Sequence, residues 1–270
     1  MSKIIDLHDE IVYVLDEAFK MMGKKFNKDF ILFIGRADVI HGLKQHTGTD
    51  CVIDYQRDTY YDETRTQFYL HYLNRNYKRD GFAYEGESGI DDLNIELMIY
   101  CHLWDSSYFM KALWRLASIV SGNGYVWEAE IPWLKKEEFM TNNIIKPLKS
   151  AGLKFGELVE ECYDAGLRNA FAHSLYTIDA ERRTIHIRPR KGYKTYSFDN
   201  FQILFLKSAF LMNLMENMLE HNHNIAAKKN TALTEAFLTP EGEKVQVYGV
   251  LQERGDIVRP EFKIVRIKDE

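Results

Sequence analysis

The stretch from residue 92 to 120 constrains the fold most, because its stripe residues return at intervals of three and four without a break. Ile95, Ile99, His102, Ser106, Phe109, Leu113, Leu116 and Val120 share one face, which predicts a single long helix with one buried side. Ser121-Gly122-Asn123-Gly124 supplies its stop. Such a stripe needs other helices to cover it, so the expected fold is mainly α, an antiparallel helical bundle. His102 and Ser106 are polar members of the stripe, and polar groups on a buried face must find partners or do chemistry.

A second stripe, Phe155, Leu158, Cys162 and Ala165, predicts a helix over 154–173. Continued at the same spacing it reaches Asn169 and then His173, four apart on one face. Arg168 stands about 100° round, with a side chain long enough to swing back. Gly166 inside this helix costs roughly 1 kcal/mol relative to alanine and suggests a close neighbour. Cation, imidazole and amide together suit phosphodiester cleavage. An arginine can grip the phosphate and stabilise its developing charge. An imidazole of ordinary pKa, about 6.5, moves protons at neutral pH. Asn169 would hold His173 or the phosphate by a hydrogen bond. The plainer reading is an Asn and a His that tie down a helix end, with Arg168 as a surface charge.

Arg168-Asn169, three further residues and His173, followed by Ser174-Leu175-Tyr176, resemble the motif of the HEPN superfamily. In those helical domains an arginine, four to six residues and a histidine form a metal-independent ribonuclease site. Asn169 occupies the first gap position, as in many active members. Tyr176 stands three residues after the histidine, where some toxin members carry a tyrosine two residues after. The resemblance covers residues 91–222. It implies a HEPN-like bundle, RNA as substrate, and a homodimer in which two motifs face one composite cleft. It also implies a toxin or anti-phage defence effector held in check by an inhibitory or activating protein partner.

Other residues were candidates to support the motif. His102, Ser106, Glu96, Asp105 and Tyr176 could orient His173 or a phosphate, with Glu96 or Asp105 paired to Arg168. Arg182, Arg183, Arg188, Arg190, Lys191 and Lys194 stand against one acid, Glu181, and could hold RNA phosphates. An ordinary charged hairpin that protects a strand edge explains them equally well. Tyr60, Tyr61, Phe68, Tyr69, Tyr72 and Tyr77 could stack on bases or form a half-buried helix face.

Around this centre the pattern predicts helices over 3–22, 58–79, 135–149 and 200–220, the last opened by a capping box at Asp199. Phe30 to Ile34 is apolar but short, open to strand or buried helix. The 41–50 stretch reads as loop. Residues 125–134, with Trp127 and Trp133, read as an irregular aromatic connection. Leu175 to Ile178 and Thr184 to Arg188 predict a hairpin, and residues 244–251 and 257–267 predict two tail strands. A polar break at 80–89 and a linker at 222–231 divide the chain into 1–90, 91–222 and 223–270.

The net charge of -5 argues against a generally basic protein that coats nucleic acid. Cys51, Cys101 and Cys162 are widely spaced with no CxxC, so neither disulfides nor zinc are expected and a reducing compartment fits. His41 with His46 and His221 with His223 are too few for a metal site of defined geometry, and no metal or cofactor is expected. There is no apolar leader and no run near the ~20 residues that span a bilayer, so the expected location is the cytoplasm, away from membranes. The function expected is endoribonuclease: 2′-OH attack leaving a 2′,3′-cyclic phosphate. The alternative is a non-catalytic HEPN-like scaffold that dimerises or binds a nucleotide or partner. A DNA-directed regulator has little support, since no helix-turn-helix pattern stands out.

Overall fold

The computed structural model describes residues 2–47, 49–53, 67–69, 71–72, 90–188, 192–229, 237–254 and 257–267. Most of the described chain is helical, with small antiparallel sheets at its margins. The helices are α1 (Ser2–Lys25), α2 (Asn27–Ile34), α3 (Ile90–Asp105), α4 (Ser107–Val120), α5 (Lys136–Phe139), α6 (Lys146–Ser150), α7 (Lys154–Cys162), α8 (Ala165–Ala172) and α9 (Phe198–Lys228), with one further turn at Lys44–Thr47. A π-helical turn, Met140–Ile145, joins α5 to α6. The short run Phe30 to Ile34 is therefore helical, and α1 continues past Gly23.

The long stripe of 92–120 is two helices, not one. Ser106 leaves the helix with φ -62° and ψ 114°, and its Oγ accepts from Phe109 N at 3.2 Å. It is an N-cap for α4, a role that serine's short hydroxyl favours. Within α3 the most buried stripe is Leu93, Leu97, Tyr100 and Trp104, so His102 lies off it and is exposed. Glu96 and Trp104 are fully buried in its stead.

The second stripe breaks as well. Tyr163 and Asp164 are extended, and Asp164 caps α8 by accepting from Leu167 N at 2.9 Å. The buried phenol of Tyr100 on α3 satisfies the groups that the break frees. It accepts from Asp164 N at 2.7 Å and donates to Cys162 O at 3.0 Å. Ser208 on α9 also donates to Cys162 O, at 3.2 Å, and receives the Trp104 indole at 3.2 Å. The break is thus held by α3 and α9 together. The phase resets across it: Leu167 and Ala170 are buried, while Asn169 and His173 are exposed. Gly166 sits at the second position of α8, where a helix interior cost does not apply.

α9 is the central mast and packs against α1, α2, α3 and α7. Ser197, not Asp199, caps it, accepting from Asn200 N at 3.2 Å. It runs through the expected linker to Lys228 because the tail sheet covers its far end. Ala227 is fully buried there, and a side chain at Gly249 would meet Ala227 O at 2.5 Å. One contiguous core cluster includes Ile11 of α1, Leu93 of α3, Phe205 of α9 and Phe262 of the tail.

Among the described residues three sheets complete the fold. β1 (Asp38–Val39) pairs β2 (Cys51–Val52). β3 (Tyr176–Asp179), β4 (Thr184–Ile187) and β5 (Lys194–Ser197) form an antiparallel meander, so the expected hairpin gains a third strand. β6 (Phe237–Leu238), β7 (Lys244–Arg254) and β8 (Ile257–Arg266) form the tail sheet. All three cysteines are free and buried. The break at 80–89 and most of the Tyr-rich segment lie outside the described residues; within that segment Phe68 is exposed, and Tyr69 and Tyr72 are buried in the core. Among the described residues no helix is long and apolar enough to cross a membrane.

Candidate functional site

The site is built where the end of α3 meets α8. Arg168 projects from the first turn of α8 toward Asp105, the last residue of α3. Its Nε and Nη2 both donate to Asp105 Oδ1, at 2.9 and 2.5 Å. Its Nη1 donates to Asn169 Oδ1 at 2.8 Å. Three of the five guanidinium N–H groups are used, which leaves one on each terminal nitrogen.

Lys136 at the start of α5 completes the cluster, with Nζ 2.6 Å from the same Asp105 oxygen. Burial by itself would raise the Asp105 carboxyl, but hydrogen bonds from Lys136 and Arg168 outweigh it and hold it below the usual carboxylate range. Two cations thus share one carboxylate oxygen. The Cys101 thiol donates to Asp105 Oδ2 at 3.7 Å. Burial and then Asp105 push that thiol up to about 11, so it is not a thiolate nucleophile at neutral pH.

His173 is the C-cap of α8 and is exposed. Its backbone N–H donates to Asn169 O at 3.1 Å. Ser174 turns left-handed at φ 55°, and Leu175 N returns to Ala170 O at 2.7 Å while Ser174 N reaches Phe171 O at 3.1 Å. This is a Schellman ending with serine in the place glycine usually takes. It ends the helix at the histidine and leaves the imidazole facing outward.

The structure therefore gathers Arg168, Asn169 and Asp105, with His173 one turn further along α8. The other candidates divide. Ser106 serves as a helix cap. Glu96 is buried and accepts from the Tyr72 phenol at 3.4 Å. Tyr176 stacks on Phe171 at 5.4 Å and donates to Asn94 Oδ1 at 2.7 Å, which braces the chain after the motif.

The basic meander is largely engaged with its own fold. Lys194 reaches Asp164 at 2.5 Å and lies over the Tyr196 ring. Arg183 lies over Phe198, and Arg188 over Tyr193. Arg182 is exposed, 3.8 Å from Asp179. Arg190 and Lys191 lie outside the described residues.

Three further residues belong here that the sequence reading did not single out. Lys136 meets Asp105 only through tertiary packing, whereas Cys101 lies four residues before Asp105 on α3, a contact that helical spacing alone provides. The Tyr163 hydroxyl is buried with no hydrogen-bond partner among the described residues. Burial pushes that phenol up to about 12, against the opposing charge of Arg168. Its position in the break between α7 and α8 sets it beside the motif.

Comparison with known proteins adds no relative: the chain matches no family model, no curated protein and no solved structure.

Proposed function

We propose that this chain is a metal-independent endoribonuclease of the HEPN type. One observation carries the reading: Arg168 is oriented by Asp105 and Asn169 while two of its N–H groups stay available, and an exposed His173 ends the same short helix. The two remaining N–H groups suit two oxygens of a phosphodiester. His173 would take the proton from the ribose 2′-OH, which attacks phosphorus. The 5′-oxygen leaves with a proton and a 2′,3′-cyclic phosphate remains. A single imidazole serves poorly as base and acid together, so a homodimer with two motifs across one cleft completes the chemistry. Asn169 steadies the guanidinium. The resemblance of the motif to the HEPN superfamily, and not the geometry, supports the further reading of a toxin or anti-phage effector restrained by a protein partner.

The test is cleavage of end-labelled single-stranded RNA in excess EDTA by the wild type and by His173→Ala. Cleavage by the wild type alone, leaving cyclic-phosphate ends, supports the reading. Equal cleavage by both removes His173 from the chemistry. A monomeric wild type that still cleaves would remove the composite cleft.

The scaffold reading has its own support, because three of the Arg168 N–H groups are already satisfied within the chain. On that reading Arg168 is a structural tie, and neither protein cleaves.

A further inference from the structure

A second cluster lies on other elements of the molecule. His41, Asp50 and Glu241 bring one ligating atom each within 4.8 Å of one another. His41 and Asp50 flank the turn between β1 and β2, and Glu241 lies in the turn between β6 and β7. The two turns are tied by independent contacts. Lys44 forms an ion pair with Glu243, and Thr49 Oγ1 donates to Glu243 Oε2 at 3.3 Å. Asp50 is buried, with Oδ1 accepting from Lys44 N at 2.5 Å, so its carboxylate is fixed. The Lys44 ammonium is committed to Glu243, so it does not sit between Asp50 and Glu241.

We propose that His41, Asp50 and Glu241 bind a first-row divalent metal ion that clamps the tail sheet to the N-terminal region. The ligand set is one imidazole and two carboxylates, which favours a zinc-like ion over magnesium or calcium. Ligand atoms about 2.1 Å from one tetrahedral ion are about 3.4 Å apart, a contraction that the exposed His41 and Glu241 side chains can make by rotation. A second observation points the same way. Glu128 Oε2 lies 3.7 Å from His41 Nε2. At that distance Glu128 is a neighbouring charge, and a small side-chain rotation brings it onto the ring nitrogen that does not ligate, the outer arrangement metal-bound histidines commonly have. The ion would neutralise two carboxylates that otherwise crowd one another. It fixes position and takes no part in the chemistry proposed at His173.

The experiment is calorimetric titration of zinc chloride into metal-free, full-length protein, with thermal unfolding in parallel. The expected result is one ion per chain at micromolar affinity or tighter, with Tm raised by several degrees at about a hundredfold excess over Kd. His41→Ala and Glu241→Gln each weaken binding tenfold or more, and Glu128→Gln weakens it by about tenfold. His221→Ala, on α9, binds as the wild type does. No uptake at 100-fold molar excess, or uptake undiminished in both His41→Ala and Glu241→Gln, overturns the proposal. Circular dichroism of each variant separates loss of a ligand from loss of the fold. RNA cleavage is not a readout, so failure here leaves the nuclease reading untouched and the reverse also holds.

Discussion

Arg168 and Asp105 meet across two helices, with Nε and Nη2 of the guanidinium converging on one carboxylate oxygen at 2.9 and 2.5 Å. The pair is half-buried and shared with Lys136, so it both fastens α8 to α3 and sets the direction of the arginine.

Asp105→Asn should therefore act on stability and on the site together. Two partly buried cations would face a neutral amide, at a cost of about 1–3 kcal/mol, below the fully buried range because Asp105 retains some exposure. Urea unfolding measures this, and an unchanged midpoint would show that the pair contributes nothing. Any RNA cleavage should fall as well, because Arg168 loses its orientation.

Acid should unfold the protein through two aspartates. Burial would raise Asp164, but bonds from Lys194, Tyr196 and Leu167 N outweigh it and lower it, as Lys136 and Arg168 do for Asp105. A carboxylate lowered by folding adds stability that is fully present above its unfolded value, about 3.9, and is lost as pH falls through the folded one. Stability should hold down to about pH 5 and decline steeply below pH 4. Asp164→Asn should flatten that decline and cost about 1–2 kcal/mol at pH 7, since the amide can still cap α8. Urea midpoints measured from pH 7 to pH 2 check both statements, and parallel curves would contradict them.

Ser174→Gly should stabilise the chain. A left-handed serine costs roughly 1–2 kcal/mol, and glycine's extra unfolded freedom returns part of that, for a net gain of about 0.5–1 kcal/mol. Thermal unfolding reads this directly. A fall in Tm would mean that the Ser174 hydroxyl has a role its exposure does not reveal.

Tyr163→Phe tests whether the phenol beside the motif does more than fill space. The phenol is buried without a partner, so its removal should be neutral or stabilising by up to about 1 kcal/mol. If the hydroxyl meets a substrate phosphate, the same variant should cleave RNA at least tenfold more slowly while unfolding no earlier. Unaltered cleavage would remove Tyr163 from the substrate cleft.

Several elements were legible along the chain because they depend on neighbours in sequence. The alternation of β3 and β4, the tail strands and the body of α1 all follow from local period and turn residues. Arg168 and Asn169 do lie together, as adjacency required. The face assignment did not carry over. Extending a 3.6-residue period assumes an unbroken helix, and two breaks, at Ser106 and at Tyr163-Asp164, shift the phase. His173 therefore faces outward; His102, which precedes both breaks, does so because the core stripe of α3 is Leu93, Leu97, Tyr100 and Trp104. Serine and aspartate are weak helix-interior residues and good caps, so both breaks had a local cue that the stripes outweighed.

Sequence alone determined the helical character, the spacing of Arg168, Asn169 and His173, and the strands β3, β4, β7 and β8, since propensity and short-range hydrogen bonding act within a few residues; β1, β2, β5 and β6 were not legible. Tertiary structure decided where the helices end and what the motif meets. Tyr100 and Ser208 satisfy the backbone at the break before α8, Asp105 and Lys136 arrive from other helices, and the tail sheet extends α9. These contacts join residues far apart in the chain, and a buried polar group takes whichever partner packing brings within reach.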